Sequence, residues 1–137
     1  MRLKSTFRYW TYTVFAVLLL TGAAWLVADW QKDAGEAWQQ AAANLLMIHG
    51  GAAMLALMAL GALIPIHLLR AWRAGKNLVS GSIVASINAV LIVTAFGLYY
   101  FGSETVRPWM SWIHIAAGFA LASMIPLHIV LGRRARA

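Results

Sequence analysis

The chain contains no cysteine and has few charged residues of either sign. The missing cysteines exclude disulfides, thiolate-bound iron–sulfur clusters and a haem attached covalently through a C-x-x-C-H motif. Only 11% of the 137 residues are charged and 62% are hydrophobic. Soluble domains have roughly 25% charged residues, so this composition predicts a membrane protein.

Four segments are apolar for long enough to cross a bilayer, which takes about 20 residues. They cover about 7–28, 44–70, 78–101 and 109–131. The first apolar run is longer than that of a cleaved signal peptide, so we interpret it as a retained helix. Because short connections make sequential helices antiparallel, we predict one all-α domain over 1–137, an up-down-up-down bundle of four transmembrane helices. The longest loop, 29–43, is predicted to contain a short surface helix.

The charged residues divide unevenly between the two sides of this four-span arrangement. One side has nine basic residues and no acids: Arg2, Lys4, Arg8, Arg70, Arg73, Lys76, Arg133, Arg134 and Arg136. The other has all four acids and two basic residues: Asp29, Asp33, Glu36, Glu104, Lys32 and Arg107. Because basic loops stay inside, we expect cytoplasmic termini and a multi-pass protein of the bacterial inner (cytoplasmic) membrane. Topology explains the net charge of +7, which excludes nucleic acid as a partner.

All four histidines lie on the second and fourth spans, in matching order. The second span contains "MIHGG" and "LIPIH", and the fourth contains "WIHIAAG" and "MIPLH". A single histidine in a membrane helix commonly makes a hydrogen bond across a helix interface. Ionisable residues at membrane depth are costly, however, and four of them at repeated positions favour a functional site.

The histidine spacings put both side chains of each span on one helix face. His49 and His67 are 18 residues apart, or five turns, and His114 and His128 are 14 apart, or nearly four turns. If the two faces meet, His49 opposes His114 and His67 opposes His128. Two opposed imidazoles can bind the iron of a haem from both sides, and bundle interiors often hold cofactors in this way.

A proline precedes the second histidine of each span by two residues. Pro65 and Pro126 are predicted to bend their helices and so to aim His67 and His128 at a shared site. The unequal spacings require either a tilt of the second span or a depth difference of about 6 Å between these two histidines.

Two parallel membrane helices with two histidines each resemble the di-haem b-type cytochromes. The likeness is to the haem-bearing N-terminal bundle of the cytochrome b subunit of quinol–cytochrome c reductases, and to small bacterial cytochrome b proteins. It covers nearly the whole chain in architecture and ligand pattern. The resemblance implies two non-covalent b haems, an outer one bound by His49 and His114 and an inner one bound by His67 and His128.

Five further residues are candidates for contact with such cofactors. Gly51 and Gly118 could make room for a flat macrocycle, although glycine also serves close helix packing in membranes. Arg8, Arg70 and Arg73 lie where inner haem propionates should emerge, and arginine suits carboxylates. Their alternative role is to fix the topology alone.

The function expected from these residues is electron transfer between a quinone or quinol and a partner redox protein. The chain would then be a subunit of a larger complex, with other redox subunits or cytochromes as partners, rather than a stand-alone enzyme. One alternative is a histidine-based metal or proton transporter, although proton relays in membranes usually include Asp or Glu. A cofactor-free assembly anchor is the other alternative.

Overall fold

The computed structural model describes residues 4–75 and 77–134, and these residues form helices and short connections only. The helices are α1 (Ser5–Trp30), α2 (Glu36–Leu63), α3 (Leu69–Arg73), α4 (Leu78–Tyr100) and α5 (Val106–Arg134). A π-helical turn, Ile64–Leu68, joins α2 to α3, and a 3-10 turn, Lys32–Ala34, precedes α2. Four stretches are long and apolar enough to span a membrane: α1, Glu36–Arg73, α4 and α5. The predicted all-α class, with four helical stretches long and apolar enough to span a membrane, is confirmed.

The helices group into two compact units, one ending at Arg70 and the other beginning at Ala71. In the first unit α1 packs on α2, and in the second α4 packs on α5. Each unit is therefore a helical hairpin, in which the two helices are close in sequence and in space.

The second membrane helix begins eight residues earlier than the sequence predicts. The segment 36–43, predicted as part of a loop with its own surface helix, is the first two turns of α2. No glycine or proline interrupts the chain between Gly35 and Gly50, and alanine and glutamine favour a continuous helix. Gly35 precedes the helix with φ of 151°, a conformation open to glycine.

The fourth membrane helix also starts earlier, at Val106 instead of residue 109. Pro108 is the third residue of α5, and proline is tolerated in the first turn because the N–H groups there have no helical acceptor. Ser103, three residues before the helix, accepts a hydrogen bond from the Val106 N–H through its hydroxyl at 3.3 Å. The helix thus extends three residues beyond the start of the predicted span and includes Pro108.

The two proline-histidine segments have different backbones. Pro65 lies in the π-helical turn, where the Leu69 N–H bonds to the Ile64 carbonyl five residues before it. Pro126, in contrast, lies inside the unbroken helix α5. Because proline has no N–H, the Gly61 carbonyl loses its usual helical donor, and the wider turn is one way in which a chain accommodates that loss.

Small side chains let the helices of the first unit approach closely. Ala52, Ala56 and Ala59 are buried on α2, at spacings of four and three residues that form one stripe. On α1 the buried residues include Thr11 and Val14. Without a hydrophobic force between helices inside a bilayer, such close packing is a main source of association.

The helices of the second unit are in antiparallel register from end to end. At one end a Cβ added to Gly97 would lie 3.3 Å from the Met110 sulfur. At the other, a Cβ on Gly132 would lie 2.8 Å from Nδ2 of Asn77. A side chain at Gly132 would therefore require the end of the Asn77 side chain to move. This register sets which residues of α4 face the two histidines of α5.

Candidate functional site

His49 on α2 lies against α1, where a threonine hydroxyl meets its ring. The Thr21 Oγ1 atom is 3.0 Å from the His49 Nδ1 atom. That hydroxyl also donates to the Val17 carbonyl at 2.6 Å, one turn earlier on α1. Gly22, the next residue, allows the approach, because a Cβ there would lie 3.2 Å from His49 Cε1. The ring is thus held by the Thr21–Gly22 pair.

His114 on α5 repeats this arrangement in the second unit. The Thr94 Oγ1 atom is 2.9 Å from the His114 Nδ1 atom, and it donates to the Val90 carbonyl at 2.7 Å. Thr94 is buried, with 4% of its surface exposed. The same three-part contact, carbonyl to hydroxyl to imidazole, therefore occurs in both hairpins.

His128 on α5 has a serine as its partner. The Ser80 Oγ atom is 2.9 Å from the His128 Nδ1 atom. A Cβ on the next residue, Gly81, would lie 3.7 Å from His128 Cε1, an ordinary contact distance. Ser80 and Thr94 are 14 residues apart on α4, and their partners His128 and His114 are 14 residues apart on the antiparallel helix α5. Both histidines of α5 thus face α4; that they share one helix face is what their spacing predicts.

His67 lies in the π-helical turn and is partly exposed. Because a π-helical turn contains more residues than an α-helical turn, the 18-residue spacing from His49 no longer corresponds to five α-helical turns. Single π turns inside α-helices are frequent at functional sites. The backbone around His67 therefore differs from a regular α-helix, and the repeated proline does not predict this π-helical turn.

The two predicted cofactor glycines differ in position. Gly118 follows His114 by one turn and so lies on the same face of α5, and a Cβ there would meet no atom within 4 Å. Gly51 is equally open. However, it follows His49 by two residues, which places it about 200° around α2. Gly118 therefore shares a histidine face, whereas Gly51 lies on the opposite side of its helix.

The three predicted arginines lie at helix ends. Arg8 is the fourth residue of α1, with its guanidinium 5.1 Å from the centre of the Tyr9 ring. Arg70 and Arg73 are in α3, directly after the π-helical turn. Both α3 arginines are exposed. Two cationic groups thus follow His67 within two turns of the same helical stretch.

The histidine pattern alone does not predict the hydroxyl partners. A signal was present in the second hairpin, because Ser80 and Thr94 have the same 14-residue spacing as His114 and His128. When two side chains of one helix each contact a side chain of an antiparallel neighbour, the two pairs must have equal spacing along their helices. Thr21 in the first hairpin has no such counterpart in spacing.

An apolar groove adjoins the Thr94–His114 contact on the second hairpin. It has a volume of about 370 Å³ and is lined by Ala89, Val90, Val93, Thr94, Met110 and Ile113. The hydroxyl–histidine pair therefore has apolar surroundings. In such surroundings a hydrogen bond is electrostatically stronger than in water.

Comparison with known protein families, with curated proteins and with solved structures finds no match to this chain. Within residues 4–75 and 77–134, no three or more His, Asp or Glu side chains form a group that could hold a metal ion. What the described residues do contain is three separate hydroxyl–histidine pairs on membrane helices.

Proposed function

We propose that the chain is a membrane electron-transfer protein that holds two b haems, each through two histidines. The ligand pairs are those expected from the sequence, His49 with His114 and His67 with His128. The likeness to di-haem b-type cytochromes, in helix number and histidine pattern, supports the assignment.

One observation carries the proposal: three of the histidines have Nδ1 within hydrogen-bonding distance of a hydroxyl on the neighbouring helix. The distances are 3.0, 2.9 and 2.9 Å for His49, His114 and His128. Histidines that bind metals almost always bond through the other ring nitrogen to a fixed partner, which orients the ring. With Nδ1 held in this way, Nε2 is the ring nitrogen that would bind an iron atom. The donor set therefore fits a haem with two histidine ligands.

A bound haem b supplies reversible one-electron chemistry at its iron. The chain's own residues would hold and orient the group and exclude water from it. Open space beside Gly118 could receive the edge of a flat macrocycle, and we retain Gly51 as a second candidate. Arg8, Arg70 and Arg73 would pair with propionates on the basic side, because a guanidinium binds carboxylates in a planar fork.

The likeness to di-haem b-type cytochromes also indicates with which molecules the chain would exchange electrons. We propose electron exchange with the quinone or quinol pool and with redox subunits or cytochromes of a larger complex. The distribution of basic residues supports cytoplasmic termini and a bacterial inner-membrane location.

The test is a haem count on protein purified in mild detergent. The pyridine haemochrome spectrum should report b-type haem at about two per chain, and the reduced-minus-oxidised spectrum should show both as low-spin species. A count near zero in protein that also fails to take up added haemin would refute the proposal.

A histidine-based transporter is the competing function. Within the described helices of the membrane-spanning stretches, the acids lie only near the ends, at Asp29 in the last turn of α1 and Glu36 at the start of α2. A proton relay usually draws on Asp or Glu at membrane depth. Proton or metal flux into vesicles by haem-free protein would favour the transporter, whereas haem-dependent quinol oxidation would favour electron transfer.

A further inference from the structure

We infer that Thr21 and Thr94 are positioning residues that fix His49 and His114 in the tautomer with the proton on Nδ1. In that tautomer the lone pair available to a metal is on Nε2. The inference about the tautomer depends only on this chain's own hydrogen bonds. Its value for haem binding rests on the proposed function.

The direction of the first hydrogen bond follows from the single proton of the Thr21 hydroxyl. That proton points to the Val17 carbonyl, which is 2.6 Å away and can only accept. Towards His49 Nδ1, at 3.0 Å, the oxygen must therefore act as acceptor, so Nδ1 must carry the N–H. The Leu18 carbonyl, 3.3 Å from the same hydroxyl, is a second acceptor for that proton.

The second hydrogen bond repeats the argument in the other hairpin. The Thr94 hydroxyl donates to the Val90 carbonyl at 2.7 Å and so accepts from His114 Nδ1 at 2.9 Å. Threonine in a membrane helix commonly bonds to the carbonyl four residues earlier. In Thr94 this bond takes the only hydroxyl proton, so the hydroxyl has no proton to donate to His114. The threonine thus becomes an acceptor of fixed direction.

A fixed acceptor at Nδ1 has two effects on a ligating histidine. It holds the ring orientation, and it increases the basicity of Nε2, because charge withdrawn from the N–H bond passes into the ring. A more basic ligand stabilises the oxidised, more positively charged iron. We therefore expect Thr21 and Thr94 to tighten binding of the outer haem and to lower its midpoint potential.

The test combines two readouts on the variants Thr21→Val and Thr94→Val. Valine keeps the shape of threonine and removes the hydroxyl. The control is Thr13→Val, since Thr13 Oγ1 makes the same bond to a carbonyl four residues earlier, to Tyr9 at 3.0 Å, without a histidine bond in the described part of the chain. Nitrogen-15 NMR of histidine-labelled, haem-free protein measures the tautomers directly. Redox titration and haem dissociation of the loaded protein measure the effect on the cofactor.

In the haem-free wild type, His49 and His114 should show a protonated Nδ1 and an unprotonated Nε2. Each valine variant should reduce the preference of its own histidine for this tautomer roughly two- to tenfold. Loaded with haem, each should weaken outer-haem binding roughly 10- to 100-fold and raise its midpoint potential. Thr21→Ser and Thr94→Ser should restore the wild-type values, and Thr13→Val should change none of them.

An Nε2-protonated tautomer in the wild type, or tautomers that the valine variants leave unchanged, would overturn the inference whether or not haem binds. The two proposals can therefore fail separately. If the NMR result is as expected but the wild type takes up no haem, the positioning role of the threonines stands and the proposed function fails.

Discussion

Two glycines beside histidine rings provide a matched pair of substitutions with opposite expected results. Gly22 follows Thr21 on α1 and Gly81 follows Ser80 on α4, and each faces the Cε1 atom of a histidine. A Cβ would lie 3.2 Å from His49 Cε1 at Gly22 but 3.7 Å from His128 Cε1 at Gly81. The best separation of two carbon atoms is about 3.5–4.0 Å. Alanine therefore fits beside His128 and is too close to His49.

The magnitude follows from these distances. Gly22→Ala should push the His49 ring away by roughly 0.3 Å, the shortfall from a normal carbon contact, and should lengthen its hydrogen bond to Thr21. Both substitutions should gain about 0.5–1 kcal/mol because alanine loses less backbone entropy in a helix than glycine. Gly81→Ala should keep this gain, whereas Gly22→Ala should lose most of it to the displaced ring.

Thermal unfolding in detergent and the visible spectrum of the loaded protein together measure this difference. Gly81→Ala should raise the melting temperature by a few degrees and leave both haem signals unchanged. Gly22→Ala should leave the melting temperature flat or lower and should weaken or shift the outer-haem signal alone. Equal behaviour of the two variants would refute the proposed contact between Gly22 and the His49 ring.

Three further results are expected. Ala59→Leu should destabilise the protein by about 1–3 kcal/mol, because it overpacks a buried position that is 1% exposed. Ala62→Leu, at an exposed position of the same helix, should be nearly neutral, and equal melting temperatures would contradict the assigned packing. A cysteine replacing Lys4 should resist an impermeant thiol reagent in intact cells while one replacing Ala34 reacts, and the reverse pattern would invert the proposed orientation. The inner haem should titrate at the higher midpoint potential, since a positive charge 10 Å away favours the reduced form by roughly 1.7 kcal/mol before screening; a higher outer potential would show that ligation outweighs this field.

The sequence predicts the helices well, because long apolar runs between polar turns leave few alternatives in a bilayer. Two helices extend beyond the predicted spans: the first turn of α5 includes Pro108, and the start of α2 includes the alanine-rich segment before residue 44. The 14-residue spacing of His114 and His128 correctly predicts a shared face, because α5 is a regular helix throughout.

The spacing of His49 and His67 is less informative, because the π-helical turn alters the rotation between them. No sequence pattern distinguishes Pro65, which lies in the π-helical turn, from Pro126, which lies in a regular α-helix. The hydroxyl partners could be found only in part. Ser80 and Thr94 repeat the spacing of the α5 histidines. Thr21 has no such signal in the sequence, and only the packing of α1 on α2 places it beside His49.

Haem retention in four single histidine variants tests the central claim most directly. Pyridine haemochrome counts and redox titration would be measured for His49→Ala, His114→Ala, His67→Ala and His128→Ala, each purified as the wild type is. The account predicts a count of about one per chain in each. It also predicts that the His49 and His114 variants lose the same haem and that the His67 and His128 variants lose the other. Loss of the same haem from the His49 and His67 variants, or a count of two in any of the four, would contradict the proposed ligand pairs.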